Sequence, residues 1–160
     1  LDAFAQLCQQ QPGLRPLLLL AGDGPLRSEL LQQAARLGIA ENLLLPGSLP
    51  HAEIPTLLRA ADIAIIPHSN AYRSPIKLFE YMAQECAIVA PATEPIATVI
   101  QDGDNGALFQ PLDTAQLADK LHRLATDPEL RKRLGQNARR TVEEHHTWTH
   151  NARDILSKLG

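Results

Sequence analysis

The sequence is short of cysteine, of excess basic charge and of long hydrophobic runs, and each shortage removes a class of function. Cys8 and Cys86 are the two cysteines among 160 residues. Both stand in apolar contexts and no Cys-X-X-Cys pair occurs, so neither a zinc knuckle nor a dithiol redox site is encoded. Isolated thiols of this kind fit a reducing cytoplasm. Acidic residues outnumber basic ones by 18 to 15, for a formal net charge of -3 at pH 7. The broad positive field that nucleic-acid binding relies on is therefore absent. The apolar run at 17–21 is far shorter than the ~20 residues a membrane span needs. No internal repeat or low-complexity tract interrupts the chain. It opens at Leu1 with neither an initiator Met nor a charged leader, as an excised piece of a longer protein would, so targeting is not legible here.

What is present is the composition of one soluble domain, 44% hydrophobic and 21% charged, long enough to bury a core. Compact apolar runs bounded by turn residues predict strands at 16–21, 42–46, 62–67, 87–90 and 106–109. Their lack of polar alternation suits a parallel sheet covered on both faces. Between them, helical patterns fall at 26–37, ended by Gly38, at 52–61, at 78–85 and at 96–101, followed by Gly103. The last third predicts helix after helix, at 114–125 and from 128 onward, with Asp127 and Pro128 as N-cap and first-turn pair. The fold class expected is α/β, a Rossmann-like, doubly wound, open parallel sheet of five strands with a helical C-terminal tail. A ligand would lie at the carboxyl ends of its strands.

Two segments sit at that edge. Gly22, Asp23, Gly24 and Pro25 follow the first strand and open a helix; the glycines let backbone approach a ligand, or serve only the tight reversal. Ser74 and Pro75 resemble an N-cap and first helical residue, and Lys77 and Glu80 behind them share one helical face. That pair has a plain reading, an exposed ion pair worth roughly a few tenths of a kcal/mol. It also has a sharper one, in which Lys77 and the helix N-terminus meet a diphosphate and Glu80 accepts from ribose hydroxyls. His146 and His150 have the i, i+4 spacing of a metal pair, but no clear further ligands accompany them and Trp148 between them suggests packing; no metal is expected. His68 and Arg73 stand near the same edge as solvated loop residues or phosphate contacts. Arg131, Lys132, Arg133, Arg139 and Arg140 alternate with acids as on a solvated helical face.

The string SPIKLFEYMA, preceded by ADIAIIPH and followed by AIVA, resembles the signature of the group 1 (family 4) retaining glycosyltransferases. LLLLAGDGPLRSEL, LGIAENLLLPGSLP, DGDNGALFQPLD and DPELRKRLG follow in the same order, so the likeness spans nearly the whole chain. The resemblance implies one half of a GT-B fold, the C-terminal donor-binding domain over residues 1–160. That half would lack its own first strand and the N-terminal acceptor domain. It implies transfer from a UDP-sugar or GDP-sugar to a glycan or lipid-linked acceptor, with no metal or other cofactor. The donor would be held by Glu80 at the ribose and by Lys77 and the amides near Ile76, Lys77 and Leu78 at the diphosphate, with Ser74 among the donor-site residues and Gly22, Gly24, Gly47 and Ser48 shaping the pocket floor and the base edge. No catalytic residue is assigned within the chain, and the fragment alone should be inactive. Any membrane contact would come only through the parent protein, and nucleic acid is not an expected partner.

Three departures qualify the resemblance. Tyr72 stands where the family's paired-glutamate pattern has an acid, as in relatives with an SPxK segment. Glu85 replaces a glycine, which predicts a reshaped turn, and Ala92 to Pro95 lacks the usual glycine pair while Thr98 replaces a frequent Glu. Two other readings follow if those losses are functional: a non-catalytic nucleotide-binding or assembly module, or a GT-B-like UDP-sugar epimerase, which the SPxK string does not resemble.

Overall fold

The computed structural model describes every residue except Ala71, Arg73, Ser74 and Gly160, with the backbone alone at Asn151, Asp154, Lys158 and Leu159. In chain order the elements are α1 (Asp2–Gln10), β1 (Leu18–Ala21), α2 (Arg27–Arg36), β2 (Leu43–Gly47), α3 (Ile54–Ala60), β3 (Ile63–Ile65) and α4 (Ile76–Ala83). They continue with β4 (Ala87–Pro91), α5 (Glu94–Ala97), β5 (Ala107–Phe109), α6 (Thr114–Thr126), α7 (Pro128–His145) and α8 (Trp148–Leu159). Every pairing among the strands is parallel. All five expected strands are present.

The strands form two ladders where one sheet was expected. β1 pairs with β2 through Leu18↔Leu43 and Leu19↔Leu44, while β3, β4 and β5 pair in that order. The burial follows the split. β4 is buried along its whole length, whereas Leu18, Leu19 and Leu20 of β1 and Ile63 and Ile65 of β3 are half-buried. β1 and β3 are each paired on one side only among the described residues, so both are sheet edges.

One core still spans both ladders. Leu18, Leu43, Ile63, Ile65, Val89 and Phe109 meet Phe4 and Leu7 of α1 and Leu121 and Leu124 of α6. On the opposite face, Ala64, Ile66, Ile88 and Ala90 meet Leu78 and Met82 of α4 and Ala138 and Val142 of α7. Successive β4 residues thus serve opposite layers, as the two-residue strand period requires.

Helix α1 has no counterpart in the sequence reading. Leu1 supplies no side-chain cap, so the usual start signal is missing, and tertiary burial of Ala3, Phe4, Ala5 and Leu7 specifies it instead. Helix α5 starts two residues earlier than expected, at Glu94 with Pro95 in its first turn, and its regular part ends at Ala97. Asn105 stops it: its side chain accepts from the Gln101 amide at 2.7 Å and donates to the Val99 carbonyl at 3.1 Å, capturing groups a longer helix would use. The N-cap expected of Asp127 forms, accepting from the Leu130 amide at 2.9 Å. The charged face of α7 is less free than expected. Arg131 donates to the Leu124 carbonyl at 2.7 Å, Arg133 to Gly103, and Arg139 pairs with Glu143 and Glu85.

The turn at Glu85 is not reshaped. Glu85 itself takes the left-handed conformation, φ 59°, with its amide donating to Met82 and the Cys86 amide donating to Tyr81. This is the helix ending glycine usually makes.

Candidate functional site

Three chain reversals leave the carboxyl ends of β1, β2 and β3. After β1, Gly22 adopts φ 130°, and after β2, Gly47 adopts φ 81°, conformations that L side chains rarely tolerate. Because Ala21 lies opposite Gly47, the two turns are neighbours. The Gly22 amide donates to the Gly47 carbonyl at 2.8 Å, and the carboxylate of Asp23 accepts from the Ser48 amide at 3.1 Å. Gly24 has open space where a Cβ would stand. A cavity of about 320 Å³ lies beside them, lined by Leu20, Leu30 and Leu45 with Gly22, Asp23 and Gly24. The two turns thus bring Gly22, Gly47 and Ser48 into one neighbourhood, with Gly24 beside the cavity. The sequence did not identify Asp23 as the tie between them, since a partner 25 residues distant leaves no local signal.

The third reversal leads into α4. Ser74, expected as its N-cap, and Arg73 lie outside the described residues. The helix begins at Ile76 with Pro75 before it, φ -72° and ψ 128°, the extended geometry of a residue entering a helix. Leu78 is fully buried, and its amide donates to the Pro75 carbonyl at 2.9 Å, which anchors the first turn. Ile76 is 78% exposed and Lys77 is exposed beside it, so the first turn of α4 lies at the surface with the positive end of the helix dipole. Glu80 follows one turn later, half-buried. The ion pairs among the described residues are Lys120–Asp102, Arg131–Asp62, Arg139 with Glu85 and Glu143, and His145–Glu144. The plain reading of Lys77 and Glu80 as partners is thus not realised. Next to Glu80, burial first, then Cys86 and Glu80, pushes the Tyr81 hydroxyl above its ordinary range.

The remaining sequence candidates lie elsewhere or are engaged locally. His68 is an exposed residue of the loop after β3, and Tyr72 is exposed in the same loop. The Thr98 hydroxyl donates to the Pro95 carbonyl at 3.0 Å. His146 packs its ring on Phe79, centroids 5.3 Å apart, and His150 bonds Thr147 through Nδ1 at 2.7 Å. Trp148 corrects the expectation of packing, being 89% exposed at the start of α8. Among the described residues no three His, Cys, Asp or Glu side chains converge as a metal site. No described helix is long and apolar enough to cross a membrane. Cys86 is buried, donates to the Leu58 carbonyl at 3.3 Å and is pushed up to about 11 by that burial, so it is a core thiol.

Residues 1–141 match the family model described as Glycosyl transferases group 1. Alpha-D-kanosaminyltransferase from Streptomyces kanamyceticus is 30% identical over 138 residues, 86% of this chain and 35% of that protein. Among solved structures, the C-terminal domain of the group 1 glycosyltransferase family protein LpcC from Francisella tularensis superposes with a TM-score of 0.78 at 26% identity, covering 92% of this chain and 79% of that one. Anabaena Alr3699/HepE in complex with UDP-glucose superposes with a TM-score of 0.80 at 25% identity, covering 98% of this chain and 43% of that one. The chain spans about a third of the length of the curated relatives it matches. With the family model covering most of its length and its fold matching a C-terminal domain of that family, the chain belongs to the group 1 glycosyltransferases.

Proposed function

We propose that the chain is the donor-binding half of a retaining, GT-B-type enzyme of family 4, which moves a sugar from a UDP-sugar or GDP-sugar to a glycan or lipid-linked acceptor. The observation that carries the reading is the start of α4. A surface helix N-terminus, with Lys77 and Glu80 in no ion pair among the described residues, lies at a strand's carboxyl end. Lys77 and the amides of Ile76 and its neighbours, with Ser74, would neutralise the diphosphate. Glu80 would accept from the ribose hydroxyls. Gly22, Gly24, Gly47 and Ser48 would shape the pocket floor and the base edge. In the reaction the bond from the anomeric carbon to the β-phosphate oxygen breaks, the diphosphate leaves with the bonding pair, and an acceptor oxygen bonds that carbon on the same face. The acceptor proton leaves with the phosphate. Positive charge held in place before the bond breaks is what lowers such a barrier. No metal or other cofactor is required by this reading.

The same reading assigns the rest of the enzyme to segments other than this one: a first strand of the domain and an N-terminal acceptor domain. The half-buried edges of β1 and β3, on separate ladders, support a strand lying between them. The activity is that of a cytoplasmic protein whose membrane contacts, if it has any, belong to the other domain.

Calorimetric titration of UDP, GDP, ADP and their sugar conjugates tests the proposal, using this chain and the full-length protein. The expected result is selective binding that tightens in the full-length protein. Binding to neither would overturn it in favour of a non-catalytic assembly module.

A further inference from the structure

We infer that Asp23 is the positioning residue for the nucleobase end of the donor site, and that it sets which way round a nucleoside diphosphate lies. The inference rests on the donor-binding reading above. Asp23 is exposed and its carboxylate accepts a hydrogen bond from the Ser48 amide at 3.1 Å. Water would satisfy both groups nearly as well, so the bond adds little to stability. Its effect is geometric. Together with the bond from Gly22 to Gly47 at 2.8 Å, it closes a two-point clasp between the turns after β1 and β2.

The residue opposite is matched to that clasp. A Cβ on Gly47 would stand 3.3 Å and 3.4 Å from the two carboxylate oxygens of Asp23, and the φ of 81° there disfavours any side chain. Glycine at 47 and aspartate at 23 are therefore one device: the first supplies room and a left-handed turn, the second pins the amide that the turn presents.

Charge adds the direction. The start of α4 carries Lys77 and the positive end of the helix dipole. The β1 and β2 turns carry a carboxylate whose amide partner leaves its negative charge in place. A diphosphate is attracted to the first and repelled from the second. A base, uncharged and bearing N–H donors, suits the carboxylate end and the adjoining cavity walls of Leu20 and Leu45.

The test compares UDP with inorganic pyrophosphate as ligands of the full-length protein, by calorimetry, for wild type, Asp23→Ala, Asp23→Asn and Gly47→Ala. Asp23→Ala and Gly47→Ala should each weaken UDP about tenfold, the effect of losing one positioning bond. Pyrophosphate affinity should stay unchanged. Asp23→Asn, which can still accept from Ser48, should retain UDP binding within about threefold of wild type. If Asp23→Ala does not fold, Asp23→Glu, which moves the carboxylate by one methylene, carries the same expectation. Equal loss for UDP and pyrophosphate would mean a general structural role and overturn the inference, as would undiminished UDP binding by Asp23→Ala. A wild-type protein that binds no nucleoside diphosphate would instead overturn the donor-binding reading, and the inference with it.

Discussion

The Glu85 carbonyl lies directly over Gly135 of α7, so close that a Cβ on residue 135 would overlap it. The turn ending α4 and the middle of α7 are thus in backbone contact, and that contact fixes the helix that carries Lys77 and Glu80. Backbone cannot yield as a flexible side chain does. Gly135→Ala should therefore cost about 3 kcal/mol, at the upper end for overpacking, although alanine is the better helix former. Urea unfolding of wild type and variant checks this; a stabilised variant would mean the two helices separate without cost.

The same turn holds a residue that glycine would suit better. Glu85 is left-handed at φ 59°, a strain of about 1 kcal/mol for a residue with a Cβ. Its ion pair with Arg139, 3.6 Å long and half-exposed, offsets little of that. Glu85→Gly should stabilise the fold by about 0.5–1 kcal/mol, measurable as a raised urea midpoint with an unchanged slope.

These two residues also mark where the sequence was legible. The strands were visible because short apolar runs of parallel-sheet type are bounded by turn residues such as Gly and Pro, and α7 because Asp127 and Pro128 announce its start. A left-handed Glu85 was not, since its conformation is imposed by hydrogen bonds to Tyr81 and Met82 and by the fit against Gly135, 50 residues on. The division into two ladders was hidden for a related reason. Strand runs announce themselves singly, whereas their neighbours are a tertiary fact. At the site, Lys77 and Glu80 could be placed on one face by helical spacing, but whether they paired with each other could not be read from spacing. Asp23 was in view between two glycines, and only its partner was missing.

Asn105 is 2% exposed and ties the loop before β5 to α7. It accepts from the Gln101 amide at 2.7 Å and donates to Val99 and to the Thr141 hydroxyl, each at 3.1 Å. Asn105→Ala takes these partners from the part-buried Gln101 amide and Val99 carbonyl. The expected cost is about 2–3 kcal/mol, read by denaturation, with the amide of Gln101 losing its protection from hydrogen exchange first.

His146 gives the fold a pH dependence whose sign follows from its surroundings. Burial, then the positive charge of His145 and His150, lowers its pKa below the ordinary 6.5; its ring rests on Phe79. The folded state therefore binds fewer protons than the unfolded one as pH falls. The contribution is fully present above 6.5 and is lost as pH drops from there through the folded value. His146→Phe keeps a ring on Phe79 and should flatten that decline. Unfolding free energies on both sides of 6.5 measure it, and an NMR titration of His146 should show a midpoint lower than that of a free histidine.

Lys77 and Glu80 should separate by which part of a donor they sense. A carboxylate that accepts from ribose hydroxyls loses its function if either side of the bond is removed. Glu80→Ala should weaken UDP by roughly ten- to a hundredfold, or ~1.5 to 3 kcal/mol, yet leave the affinity for 2′,3′-dideoxy-UDP where it was. Lys77→Ala should weaken both ligands alike, because both carry the diphosphate. It should also reduce the salt dependence of binding, since an exposed cation acts through a screened field. Calorimetry on the full-length protein at two ionic strengths resolves the four combinations. If Glu80→Ala weakens the dideoxy ligand as much as UDP, Glu80 acts on the helix and not on the ribose, and its assignment fails while that of Lys77 stands.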